Sequence, residues 1–337
     1  MVRESPKSSF ERINYYLRPN KQVERKLMIE MLQQIRRELD ISNYCYLGMG
    51  SIYYYDYILV HKMLSIDDMI SIDNKTAIKR FDFNKPYEFI KFHNCITTDY
   101  LRMHDWQKKK TITWLDYDTT FGKGEPCIIA DLKILGINCG KNDILFVSIN
   151  SAPPKEDNRK DFLEKYNTYI SPPFKKLCFT SPKFFPELLQ NIVLNVLKEG
   201  CEYNKFKFYK ICSFTYKDGA PMYTIGGIFT DDAEFPQKLA SLHDIISLDT
   251  AQIHKINIPN ITYKEKFYMD SKINSLRQWF EDSEKEVDKL GLDDEEEKKE
   301  RIAKLLYNKM DIELSPDDVL SYLTYYKYFP QYYEGII

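Results

Sequence analysis

The sequence predicts an α/β fold organised on a seven-stranded mixed sheet, five parallel strands closed by a C-terminal antiparallel hairpin, with helical additions. Three observations predict it. Apolar runs of strand length alternate with helical patterns between residues 44 and 150, the texture of parallel strands joined by crossover helices. A glycine-rich turn, YCYLGMGS at 44–51, separates the first of these runs from a helix. Asp218-Gly219 sits between two further strand-like runs, which is the signal of a hairpin and forces one antiparallel strand into the sheet.

The elements follow in order. Residues 1–42 form an N-terminal helical segment, with Ile29, Met31, Leu32, Ile35 and Leu39 near helical spacing and Arg18-Pro19-Asn20 as its start. Residues 43–232 form the α/β domain. Its first strand is expected at 44–49, followed by a helix in IYYYDYILVHKML, a second strand at 68–73 and a weak helix in NKTAIKRFDF that Asn84-Lys85-Pro86 must break. The third strand is expected at 89–95 and the fourth, TITWLDYD, at 111–118. GEPCIIADLKIL reads as a helix with Pro126 in its first turn. The fifth strand, ILFVSIN, is the most apolar run and is expected at the centre of the sheet. Residues 151–182, rich in Pro and Lys, read as an insertion or lid. The next helix carries Leu188, Leu189, Ile192, Val193, Val196 and Leu197 on one face and stops at Gly200. Residues 233–337 form a mainly helical C-terminal region. Its run DDEEEKKE is a solvated helix face, and Ser315-Pro316-Asp317-Asp318 caps a last helix.

Composition narrows the function. The net charge is −2 over 337 residues, so no nucleic-acid or membrane footprint stands out. No run reaches about 18 apolar residues, and the first residues lack the apolar core of a secretory leader. Seven dispersed cysteines without a CxxC pair suit free thiols and a cytoplasmic location. Five histidines without paired spacing support no metal site. The 26 tyrosines read as composition bias or as a tyrosine-lined surface.

The turn carries the chemistry. Glycine lets a backbone approach a ligand closely, and a helix N-terminus presents unpaired N–H groups. Gly48 and Gly50 stand between a strand and a helix, and Asp73 ends the second strand 23 residues after Gly50. A carboxylate there can accept hydrogen bonds from two ribose hydroxyls, or else cap a helix before Lys75-Thr76. On the fourth strand, Asp116 and Asp118 share one face with Trp114, and Tyr117 lies opposite. Either Asp116 orients a cofactor or acceptor and Asp118 is a candidate base or metal ligand, or one of the two caps a helix near Gly124 and the other is solvated; Trp114 packs on the sheet. RFDFNKPY either presents Arg80, Asn84, Lys85 and Tyr87 to a ligand or makes a tight connection over Phe81 and Phe83. The closing YYKYFPQYYE is a docking surface for the helical region or an interface for a protein partner.

From about residue 43 to 232 the chain resembles the class I S-adenosylmethionine-dependent methyltransferase superfamily. YLGMGS, MISID, TITWLDYD and YKDGAPMYTIGG are the landmarks. YLGMGS, RFDFNKPY, WLDYD and YYKYFPQYYE further resemble bacterial proteins described as putative O-methyltransferases. The resemblance implies a Rossmann-like sheet and S-adenosyl-L-methionine as cofactor. It implies Gly48, Gly50, Ser51, Asp73 and Asp99 as cofactor-binding residues, and Asp116 and Asp118 beside an unidentified methyl acceptor. The chain departs from the pattern twice: Tyr46 stands where an acid is usual, and Ile52 where a third glycine is common. No Asn/Asp-Pro-Pro-Tyr/Phe signature follows the fourth strand, against a base-methylating DNA enzyme. The alternative is a catalytically inactive binding or regulatory subunit with this fold, in a bacterial defence system.

Overall fold

In a computed structural model, the described residues are 18–329, without 75–77, 122–126, 178–183, 243–244 and 293. Pro126, Lys75-Thr76, Gly124, Cys178 and the end of YYKYFPQYYE from residue 330 lie outside them. The elements in chain order begin with α1 (Pro19–Ile35), β1 (Cys45–Met49), α2 (Tyr55–Leu64), β2 (Asp68–Asp73), α3 (Ile78–Phe83) and β3 (Ile90–Asn94). Then come α4 (Thr97–Met103), β4 (Thr111–Thr120), α5 (Ile128–Asn138), β5 (Ile144–Asn150), α6 (Arg159–Tyr166), α7 (Pro172–Leu177) and α8 (Phe184–Cys201). The chain continues with β6 (Lys207–Asp218), β7 (Ala220–Thr230), α9 (Phe235–Ala240) and β8 (His254–Lys255). It ends with α10 (Tyr263–Ser271), α11 (Ile273–Asp288), α12 (Glu295–Tyr307) and α13 (Pro316–Tyr325).

The strands form one sheet in the order β3-β2-β1-β4-β5-β7-β6-β8. β1 to β5 pair in parallel, and β7 runs antiparallel to both β5 and β6. The sheet therefore has eight strands rather than seven. The added strand is β8, two residues that pair in parallel with Phe214 and Thr215. β5 is buried along six of its seven residues, as a central parallel strand should be. The hairpin turns through Gly219, whose φ of +113° suits a residue without Cβ.

One face of the sheet carries an extensive core. Leu47, Ile72, Leu115, Val147 and Ile225 pack there against α5 and the buried face of α8. Helices α5 and α8 cross with almost no spacing: a Cβ on Gly136 would lie 2.8 Å from Leu197 O and 2.9 Å from Gly200 Cα. Phe162, Tyr166 and Ile170 of the 151–182 insertion join this core. Phe81 is buried and stacks on Phe92 at 4.9 Å, whereas Phe83, expected beside it, is 88% exposed. Asp143 ties the amino ends of β4 and β5. Its carboxylate accepts from Thr111 N and Gly140 N, both at 2.7 Å, while burial pushes its pKa up to about 6.

The chain divides into two compact units, Met1–Arg18 with Glu24–Lys255, and Pro19–Val23 with Ile256–Ile337. The second has its own core around Met269, Leu276, Phe280, Val319 and Tyr322. Two of its helices begin on side-chain caps, a Thr262–Glu265 capping box for α10 and Ser315 for α13. Phe329 packs into this core and Arg277 lies 5.4 Å over the Tyr326 ring, so the described part of the closing aromatic run folds onto its own unit.

Candidate functional site

Strand order reverses between β1 and β4, and in open α/β sheets ligands bind outside the carboxyl ends of strands at such a point. The glycine-rich turn leaves the carboxyl end of β1 there. Its glycines are first explained by packing. Gly50 N donates to Ile72 O at 2.7 Å, which brings the turn against β2 so closely that a Cβ would run into Ser71 Oγ. A Cβ on Gly48 would lie 3.0 Å from Tyr57 Oη and 3.2 Å from the Tyr46 ring. The Tyr57 hydroxyl reaches two carbonyls, Gly48 O at 2.8 Å and Ile70 O at 3.1 Å.

Tyrosines thus fill the space beneath the turn. Tyr46 is buried, meets Tyr57 edge to face at 5.1 Å, and has its hydroxyl pKa pushed well up by burial and then by Asp56. Tyr54 starts α2 in the left-handed region at φ 46°, its buried ring set against Tyr57 and Phe81. A bulky residue there is unusual, and such conformations gather at functional sites. Ser51 is half-buried and accepts from Tyr53 N at 3.3 Å.

The sheet brings most of the expected carboxylates to this end. Asp73 closes β2, half-buried, beside the turn, and lies in register with Asn94 of β3. Asp116, also half-buried, lies on β4 in register with Ser148. It shares a face with Trp114, which packs on the sheet and donates to Ser148 Oγ at 3.1 Å. Tyr117 points the other way and donates to buried Asp131 at 2.6 Å. Asp118 is exposed, where the β4–β5 register shifts. Asp99 is also exposed, in the first turn of α4 after β3 and 3.8 Å from Arg102. It is the most remote of the set, because β2 separates β3 from β1.

Sequence reasoning missed the buried charges of α1. Arg25 is 2% exposed, pairs with Asp56 of α2 through Nε, and lies 5.0 Å over the Tyr55 ring. Burial opposes its charge, yet Asp56, Asp116 and Glu24 together hold its pKa above the ordinary arginine value. Glu24 accepts from Thr224, whose hydroxyl is 2.8 Å from Ser148 Oγ. Thr224, Ser148 and Asp116 occupy one register row across β7, β5 and β4. The available signal was Glu24-Arg25 within the helical spacing of Val23, Leu27 and Met31, but that spacing does not distinguish a buried charge from a solvated one.

A family model described as putative O-methyltransferase matches residues 13–337. None of the curated proteins matches the chain. Among solved structures, the chain is similar to Trm1 from Pyrococcus horikoshii in complex with S-adenosyl-L-methionine, at 13% identity and a TM-score of 0.42. That match covers 66% of this chain and 58% of Trm1, so it spans less than two thirds of that protein. N-methyltransferase NodS from Bradyrhizobium japonicum WM9, in complex with S-adenosyl-L-homocysteine, matches at 9% identity, with 61% and 87% covered and a TM-score of 0.36. A putative S-adenosylmethionine-dependent methyltransferase from Listeria monocytogenes matches at 10% identity, with 60% and 99% covered and a TM-score of 0.36. Among the described residues, no helix is long and apolar enough to cross a membrane.

Proposed function

The chain belongs to the family described as putative O-methyltransferase, and from that premise we propose that it moves a methyl group from S-adenosyl-L-methionine to an oxygen of an acceptor. The observation that carries this reading is Asp73, a half-buried carboxylate at the end of β2 directly beside the turn at the β1/β4 reversal. Its chemistry fits a ribose: two carboxylate oxygens can accept from two neighbouring hydroxyls. Gly50 and Ser51 let backbone approach the same ligand, and exposed Asp99 lies beyond Asp73 on the side away from β4.

The bound cofactor supplies an electrophilic methyl carbon. The chain's part is positioning, which can account for much of the rate of a displacement between two held groups. Asp116 orients the reacting groups at the carboxyl end of β4. Asp118, two residues on and open to solvent, takes the proton from an acceptor hydroxyl as general base. Tyr46, where an acid is usual, favours a second reading, a fold that binds without transferring.

Isothermal titration with S-adenosylhomocysteine decides the cofactor. One site per chain is expected, with affinity lost in Asp73→Ala. No heat at millimolar ligand sinks the methyl-transfer reading. Binding without transfer to any oxygen acceptor in a methyl-labelling screen favours the second.

A further inference from the structure

We propose that Asp131 is a positioning residue of the candidate site, fixing from within the core the two segments that carry Asp99 and the pair Asp116 and Asp118; this rests on the methyl-transfer reading above. Asp131 stands in the first turn of α5 and is fully buried. Its two carboxylate oxygens serve different elements. Thr98 Oγ1 of α4 donates to Oδ1 at 2.5 Å, and Tyr117 Oη of β4 donates to Oδ2 at 2.6 Å. Thr98 immediately precedes Asp99, and Tyr117 stands between Asp116 and Asp118. One side chain thus ties the segment that follows β3 to the segment that ends β4. A carboxylate suits the task because, ionised, it accepts from both hydroxyls at once, and the N-terminal turn of a helix favours its charge. Burial, and then Asp131 itself, push the Tyr117 hydroxyl well above its ordinary pKa, so it stays a donor.

The end of β4 needs such a tie. Its pairing with β1 stops at Trp114, opposite Gly48. Its pairing with β5 slips: Asp116 faces Ser148 and Thr120 faces Asn150, so four steps of β4 run beside two of β5. Irregularities of this kind re-aim side chains next to active sites. Residues 117–119 lie inside the slip, and of these Tyr117 alone is buried. Its hydrogen bond to Asp131 therefore holds backbone that the neighbouring strands do not set. The first turn of α4 has no side-chain cap at Ile96, and the Thr98 hydroxyl fastens it to α5 instead.

The test uses the full chain. Hydrogen–deuterium exchange read by mass spectrometry follows residues 96–101 and 115–120, beside S-adenosylhomocysteine titration. In Asp131→Leu both segments are expected to exchange about tenfold faster, as for a lost hydrogen bond to a charged group, and the dissociation constant to rise by a similar factor. Tyr117→Phe should speed only 115–120, and Thr98→Val only 96–101. Asp131→Asn keeps one acceptor oxygen and should restore part of the affinity. A merely structural role would speed exchange across the whole sheet and leave affinity unchanged well below the thermal midpoint. Unmoved exchange at 115–120 in folded Asp131→Leu overturns the proposal, and so does faster exchange there with unchanged affinity. Should that variant fail to fold, Tyr117→Phe decides by the same two readings. Absence of binding heat in the wild type removes only the methyl-transfer reading, because the exchange pattern still reports on Asp131.

Discussion

An alanine at position 50 would put its Cβ into Ser71 Oγ, whereas Ile72 O would lie at 3.5 Å and Ser71 Cβ at 3.7 Å, both ordinary contacts. The clash is therefore confined to one oxygen. Overpacking of this kind costs about 1–3 kcal/mol. Gly50 has no positive φ, so alanine also removes unfolded-state freedom and returns roughly 0.4–1 kcal/mol. The net expectation for Gly50→Ala is a loss of about 1–2 kcal/mol. Gly50→Ala/Ser71→Ala deletes the offending oxygen and should recover that loss, a coupling of about 1–2 kcal/mol in a double-mutant cycle. Urea unfolding followed by tryptophan fluorescence measures it. If the double variant is as unstable as Gly50→Ala, the packing account of this glycine is refuted. A double variant that is stable yet no longer binds S-adenosylhomocysteine assigns Gly50 a second duty toward ligand.

Three further expectations follow from the same geometry. Gly136→Ala drives a Cβ into the backbone of α8, where no side chain can rotate away, and should cost about 2–3 kcal/mol by urea unfolding. Tyr57→Phe removes the hydroxyl that meets Gly48 O and Ile70 O beneath the turn, and should cost about 1–2 kcal/mol and lower the thermal midpoint. Asp143 has a folded pKa of about 6 against the ordinary 3.8, so between these values the folded state binds more protons than the unfolded chain. Stability should therefore fall as pH rises from about 4 to 6 and level off above, by a total on the order of 3 kcal/mol. Asp143→Asn should lack that slope in urea titrations run across the range.

The sheet was legible because each strand is a short apolar run between polar breaks. β2 and β5 fall on the expected residues, β1 and β3 lie within one residue of them, and β4 runs two residues further to Thr120. β8 was not legible: two residues, His254 and Lys255, carry no period, and only the neighbouring β6 makes them a strand. Phe83 was misread because an apolar residue next to buried Phe81 looks alike from sequence, although on a six-residue helix the two point apart. At the site, the parity of Asp116 and Tyr117 on β4 was readable from alternation alone. Arg25 and Asp56 were not, since their pairing joins positions 31 residues apart and depends on how α1 lies on the sheet.

β6 is twelve residues long, and an uncovered strand of that length would be a template for another chain to extend. The segment after α9 closes it. Ser247 N donates to Ile211 O, Ser213 Oγ donates to Gln252 O, and β8 pairs with Phe214 and Thr215. The Lys210 ammonium, inside this loop, binds the carbonyls of Ser247, Asp249 and Gln252. One buried lysine thus fastens the covering segment to β6. It leaves the short β3 margin at the far side, where Lys91 is tied to Asp68, as the less inviting place for strand addition.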